Sequence, residues 1–461
     1  AAATLLGSVS WAKRLGAKNL TDASYVSGVA VDASGNIFTA GRFTGSADLG
    51  GGVITSGVGY YDIFIAKYGP DGAYRWAKHF NSNSVPNRAG SIAVDRGGNV
   101  VVTGAFFNTL DFGAPCAPIT ATSMDTFLVK LSSSGTCVWA KNFTSNNTDS
   151  GTAVAVDGSD SVVLVGALKG TVGFGNGVNL TGRSATQSDI YLAKFNSSGG
   201  VLWAHNYSGT TNDAQIATDV AVDSSGNIVM TGSFQSTVDL CAPGPACPLT
   251  AAVNAVSGPS NDAFVAKYTS GGAAVWVKSF GESQGADQGG QAVSFDGAGN
   301  ILATGYAGGT LNFGTGTQSP RGYLDLYLVK IASNGTTTWA RRYGASGWEE
   351  SAYDLAVDPD NNVVVVGKTS GPVDFGGGPV PAPDTATRYN ALALKVSSAG
   401  TYVWAKSFGD TWLQSSRAVA TDSSSNAIVA GVFASTINFG IAPLSSPGPS
   451  TDCIFLAKFG P

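Results

Sequence analysis

The chain has 461 residues, with 62 Gly and 18 Pro against only 12% charged residues, and its 31 acids are 28 Asp and 3 Glu. Glu and Lys normally dress helix surfaces, whereas Gly, Asp and β-branched residues mark strands and tight turns, so the composition points to an all-β chain. A net charge of -5 with 26 Lys and Arg spread thinly offers no basic stripe for nucleic-acid phosphates, and no apolar run reaches the ~20 residues of a membrane span.

In chain order, a strand at 9–15 comes first and carries Trp11 and Lys13. Six repeating units follow at 27–80, 90–143, 152–207, 217–280, 290–343 and 352–408, and a seventh begins at 417 and runs to 461. Three markers define them. The first is Trp with a base two places on: Trp11/Lys13, Trp76/Lys78, Trp139/Lys141, Trp203/His205, Trp276/Lys278, Trp339/Arg341 and Trp404/Lys406. The second is an Ala-Val-Asp-like segment ending at Asp32, Asp95, Asp157, Asp223, Asp296, Asp358 and Asp422. The third is a strand ending in Lys67, Lys130, Lys194, Lys267, Lys330, Lys395 and Lys458.

Each unit resolves into two hairpins, as at 91–95 with 99–106 and 126–131 with 136–143. The first pair is joined by an Asp-x-x-Gly-Asn turn, in which Gly supplies φ > 0 and Asp bonds the turn's own amides. Four short antiparallel strands repeated about every 64 residues describe a propeller blade. The Trp strand comes last in each unit, yet the chain opens with one and the seventh unit lacks one. The expected fold is one seven-bladed β-propeller over 1–461, with residues 1–16 completing blade seven.

Segments such as Val220 to Phe234 (VAVDSSGNIVMTGSF), Pro372 to Gly378 (PVDFGGG), Asp262 to Tyr268 (DAFVAKY) and Gly400 to Gly409 (GTYVWAKSFG) carry a family likeness. Together they resemble the bacterial SBBP-type β-propeller repeat over essentially the whole chain. That resemblance implies a secreted or cell-surface protein, an extracellular binding or scaffolding propeller with no catalytic residues to carry over. The Gly-x-x-x-Trp segments also resemble the Trp-docking repeats of pyrroloquinoline-quinone dehydrogenases, although that class brings eight blades and a calcium-centred site. The start at Ala1 without Met fits either a chain cleaved from a secretory signal or a trimmed one.

The seven repeat Trp read as packing residues, because Trp, the base at +2 and the residue at +4 share one strand face. Thirteen of the 26 bases belong to the repeat, so half of the positive charge is architecture. Only His79 and His205 are available for acid-base work, on different units and opposite strand faces. With no His cluster and no G-x-S-x-G or H-E-x-x-H motif, no enzymatic activity and no required cofactor are expected.

Acids on the crossings between units suggest where Ca²⁺ would be held: Asp22, Asp149, Asp213, Asp287, Glu349 and Glu350, with Glu282 and Asp410 beside them. Calcium takes six to eight oxygens, so such a site needs several of them to converge. Trp348 and Trp412 lie outside the repeat ring, with Arg321, Tyr323, Arg388 and Tyr389 on nearby loops. Loop aromatics are where a propeller stacks a sugar or grips a protein, so these six are the candidate ligand residues. Cys241 with Cys247 and Cys116 with Cys137 are candidate disulfides, which would favour an oxidising compartment and leave Cys453 over.

The sequence therefore reads as a rigid secreted or surface platform that binds a protein or glycan through its loop face. A self-assembling structural subunit and a glycan-binding lectin are the alternative readings. No nucleic-acid partner and no membrane span are expected.

Overall fold

The structure is a computed structural model that describes residues 6–57, 60–81, 87–184, 186–209, 213–251, 253–254, 258–281, 286–382, 389–410 and 412–461. Seven four-stranded antiparallel sheets form a β-propeller, and no helix occurs among the described residues. Blade one is Ala23–Val31, Ile37–Thr44, Asp62–Tyr68 and Tyr74–Phe80, paired in that order from channel to rim. In blade seven, Gln414–Thr421, Ala427–Phe433 and Cys453–Phe459 are completed by Val9–Ala17 as outer strand. Trp11 pairs with Lys458 and Gly16 with Cys453, so the two ends of the chain share one sheet. Closure leaves no long unpaired strand edge.

Strand direction sorts the connections. The Asp-x-x-Gly-Asn turns and the third-to-fourth-strand turns lie on one face. The second-to-third-strand connections and the crossings between blades lie on the other, here called the loop face.

Three sets of contacts lace neighbouring blades. On the turn face, each repeat Trp lies against a Gly four residues before the next blade's own Trp, in the third-to-fourth-strand turn or, in blade seven, just before Val9–Ala17. Trp76 covers Gly135, Trp339 covers Gly400 and Trp404 covers Gly7. Those glycines have positive φ (83° at Gly135), a conformation that also removes the side chain from beneath the indole. Trp76, Trp139, Trp276 and Trp339 further donate Nε1–H to the carbonyls of Ser133, Ser197, Ser333 and Ser398.

At the rim, the aromatic four places after Trp stacks on the Phe of a small hairpin carried by the next blade. Phe80 meets Phe112 at 4.7 Å, Phe143 meets Phe174 at 5.0 Å and Phe408 meets Phe439 at 4.7 Å. In blades one and four the hairpin residue is Leu49 or Leu240 instead. There the third strand ends in Tyr68 or Tyr268, whose hydroxyl donates to that Leu carbonyl at 2.9 Å.

Near the channel on the loop face, residues at or just before the start of the inner strands stitch the ring. Asn87, Asp149, Gln288, Glu350 and Gln414 donate N–H to Tyr61, Met124, Asn261, Leu324 and Tyr389 of the preceding blade. The second and third markers of the sequence also acquire roles inside each blade. Third-strand lysines pair with turn aspartates: Lys130–Asp95 at 2.7 Å, Lys194–Asp157 and Lys330–Asp296 at 2.8 Å, and Lys395–Asp358 at 2.7 Å.

Candidate functional site

Every inner strand carries a β-bulge at the same height, for example between Val26 and Gly28 and between Ser416 and Ala418. A bulge adds one residue to one strand and re-aims its side chain. The added residues are Ser27, Gly90, Thr152, Thr218, Gln291, Tyr353 and Arg417, and all line the central channel, a cavity of about 240 Å³. Six are neutral. Arg417 is the charged one, and its guanidinium lies 4.3 Å from the Tyr353 ring centroid.

The residue after the bulge points round the ring towards the next inner strand. Mostly it is small, but in blades four and six it is Asp219 and Asp354. Asp219 accepts the N–H of Val293 at 2.8 Å, and Asp354 accepts those of Val419 and Leu355 at 2.8 Å. Burial pushes the Asp219 carboxyl up to about 7, and burial with the neighbouring Asp219 charge pushes Asp354 well above the usual carboxylate range.

On the loop face, the structure brings four of the sequence candidates onto one surface. Tyr323 is 72% exposed, and its N–H donates to the Trp348 carbonyl at 2.9 Å. The Trp348 indole is half-buried against Gly371 of blade six. The next residue, Glu349, accepts the Tyr389 hydroxyl at 2.7 Å and lies 3.7 Å from Lys368 Nζ. Lys368 in turn sits 3.4 Å from the centroid of the Tyr389 ring. The hydrogen bond to Glu349, with burial, raises the Tyr389 hydroxyl to about 12. Trp412 is half-buried on the neighbouring crossing, where its N–H donates to Asp410. Arg321 instead lines a groove of about 880 Å³ between blades five and six, with Arg341, Asp374 and Tyr402. Arg388 lies outside the described residues, as does Glu282.

The acids expected to converge on calcium are dispersed. Asp22 caps its own turn, accepting Asn19 N–H at 2.9 Å. Asp213 accepts the Ser236 hydroxyl, and Asp287 accepts Asn261 N–H at 3.1 Å. Asp149 and Glu350 are not loop acids at all. They are fully buried at inner-strand starts, where Asp149 accepts Lys169 N–H and Glu350 accepts Ala345 N–H. Burial raises their carboxyls to about 6 and about 7. Among the described residues, the one group of three ligand-bearing side chains in reach of each other is Asp239, Cys241 and Cys247. Its two sulfurs are joined in a disulfide, which removes them as ligands. Cys116 and Cys137 form the second disulfide, and Cys453 is a buried free thiol.

Lys368, Tyr353, Arg417 and the two channel aspartates were not candidates from sequence. Their signal is departure from the repeat. The position of Lys368 is occupied by Arg42 in blade one and by Ala105, Ala167, Ser233, Tyr306 and Val432 in the others, so a base there serves no packing role common to the ring.

No family model matches the chain. An uncharacterized WD repeat-containing protein of Acanthamoeba polyphaga mimivirus is 24% identical over 444 residues, covering 83% of this chain and 32% of that protein. The chain thus spans about a third of the length of that relative. Solved structures of similar fold include a virginiamycin B lyase from Staphylococcus aureus (TM-score 0.43, 7% identity, covering 97% of this chain and 98% of that one). A gluconolactonase from Xanthomonas campestris (TM-score 0.32, 10% identity, 79% and 90%) is another. A third is dipeptidyl peptidase 4 from Porphyromonas gingivalis (TM-score 0.36, 10% identity, 92% and 51%). These are enzymes, and they correct the expectation that the chain has no enzymatic activity: the propeller architecture does not exclude catalysis.

Proposed function

We propose that this propeller is a secreted or cell-surface binding platform that grips a partner protein through its loop face. The observation that carries the reading is the concentration of exposed apolar side chains on that face. Tyr323 (72% exposed), Leu20 (67%) and Leu413 (56%) stand on or beside successive crossings, next to half-buried Trp348 and Trp412. Large apolar groups ringed by polar ones are what protein contacts bury first. The Glu349, Lys368 and Tyr389 network holds the local backbone and side chains in place, which lowers the ordering cost of binding. Two disulfides and the likeness to the SBBP-type repeat support an oxidising, extracellular setting.

The test is a protein-array binding screen with three proteins: the native chain, a Tyr323→Ala/Trp348→Ala variant, and an Arg75→Gln/Arg96→Gln variant altered elsewhere. Binders lost only by the loop-face variant support the platform. Binders that ignore both variants, or a native chain that selects no protein, refute it.

A further inference from the structure

Among the described residues, three arginines at the loop-face mouth of the channel have no acidic partner. Arg42 lies near the end of Ile37–Thr44, with its guanidinium 5.2 Å from the ring centroid of Tyr25 and 4.8 Å from that of Tyr61. Arg88 opens the inner strand of blade two, Arg88–Val94, and is exposed. Burial of its stem and the positive charge of Arg42 both lower its pKa, so the two like charges feel each other. Arg417 stacks on Tyr353 in blade seven, and its charge also bears on Lys368.

The inner strands of blades six, seven, one and two pack consecutively around the ring, so Lys368, Arg417, Arg42 and Arg88 form one arc. Among the described residues, Arg42, Arg88 and Arg417 take part in no ion pair, whereas six of the seven third-strand lysines do. The acids near the arc are committed elsewhere. Asp452 accepts the Tyr25 hydroxyl at 2.5 Å, and Glu349 is shared by Lys368 and Tyr389. Asp219 and Asp354 serve the N–H groups of adjoining blades.

A chain of net charge -5 that leaves three guanidiniums unpaired on one arc has a local field opposite to its overall one. A guanidinium stacked on a tyrosine face is held by the ring and presents its N–H edge outward, the geometry that binds a carboxylate through two parallel hydrogen bonds. Exposed Leu20 and Tyr60, on the blade-one side of the arc, add apolar contact. We infer that the arc of Arg42, Arg88 and Arg417 receives an acidic segment, consecutive Asp or Glu side chains, of the partner protein. This rests on the platform reading and specifies its chemistry.

The experiment measures fluorescence anisotropy of a labelled oligoglutamate peptide with the full chain. Its competitors are inorganic phosphate and dextran sulfate. The native chain and Arg75→Gln/Arg96→Gln should bind alike, while Arg42→Gln/Arg88→Gln and Arg417→Gln each weaken binding by about tenfold or more. Melting temperatures within a few degrees of native show that the variants fold. Equal loss in the Arg75→Gln/Arg96→Gln protein, or no binding by the native chain, overturns the inference. Direct binding of labelled dextran sulfate with no oligoglutamate binding overturns it in favour of a sulfated glycan. Array binders that survive Arg42→Gln/Arg88→Gln but not Tyr323→Ala/Trp348→Ala overturn the acidic segment alone and leave the platform standing.

Discussion

The indole of Trp404 in blade six lies on the backbone of Gly7, at the other end of the chain, so closely that a Cβ at Gly7 would fall 2.8 Å from Trp404 Cδ2. The same contact joins Trp76 to Gly135, where a Cβ would meet the ring at 3.2 Å. Gly299 has a similar φ of 76°, with nothing within 4 Å of its Cβ position. Gly299→Ala should therefore cost only the backbone term, about 1 kcal/mol, whereas Gly135→Ala adds indole displacement and should cost about 2–3 kcal/mol. Equal melting temperatures for the two variants would remove the docking contact from the account.

Tyr268→Phe deletes one hydroxyl and leaves the buried Leu240 carbonyl without its donor, an expected loss of about 1–2 kcal/mol. Tyr68→Phe repeats the change at Leu49 in blade one. The blades are far apart, so denaturant melts of the double variant should show the two losses adding.

Lys395 and Asp358 are buried together at 2.7 Å. Lys395→Met strands a buried carboxylate and should cost about 3–5 kcal/mol. Lys67 lies 4.0 Å from Asp32, so Lys67→Met should cost about 1 kcal/mol or less.

Related aspartates set the acid limit. Burial pushes the carboxyls of Asp95, Asp157, Asp296 and Asp422 up, but the hydrogen bonds from their lysines and from neighbouring turn groups outweigh it, and each ends below its usual value. A lowered carboxyl stabilises the fold above its unfolded pKa and loses that contribution as pH falls through the folded one. Stability should thus drop progressively below roughly pH 4 in acid-titrated melts. A flat profile there would contradict the pairing.

Asp219 and Glu350 work in the opposite direction. Their carboxyls are raised to about 7 by burial, so their favourable contribution is complete below the unfolded value and lost as pH rises towards the folded one. Asp219→Asn keeps an oxygen for Val293 N–H and removes the charge. It should melt higher than the native chain at pH 8, by on the order of 2 kcal/mol, with the gain shrinking towards roughly pH 4. A gain independent of pH would point to packing instead of ionisation.

Trp76, Asp95 and Lys130 were legible as repeat markers because each occupies a contact that every blade must make, and a sevenfold ring writes such contacts seven times. Closure by Val9–Ala17 followed from the phase of the same markers. The channel mouth was not legible for the converse reason. Arg417, Asp219 and Asp354 stand where the other blades carry small or neutral residues, Lys368 shares its position only with Arg42 as a base, and on the inner strands a bulge decides which residue turns inward. A one-residue slip of that kind leaves no mark in an alternating pattern. Asp149 and Glu350 were misplaced by the same uncertainty at a strand boundary, since one residue separates a solvated crossing from a buried strand start.

The ladder that closes the ring pairs Val9 with Phe459 at one end and Gly16 with Cys453 at the other. Tension applied between residues 9 and 459 loads those hydrogen bonds at their shared end, one after another, like a zip drawn open. The same tension across the length of a strand would have to break them all together. A disc held by contacts repeated from blade to blade should therefore peel at low force when pulled by these two residues, blade seven parting first while the other six sheets hold.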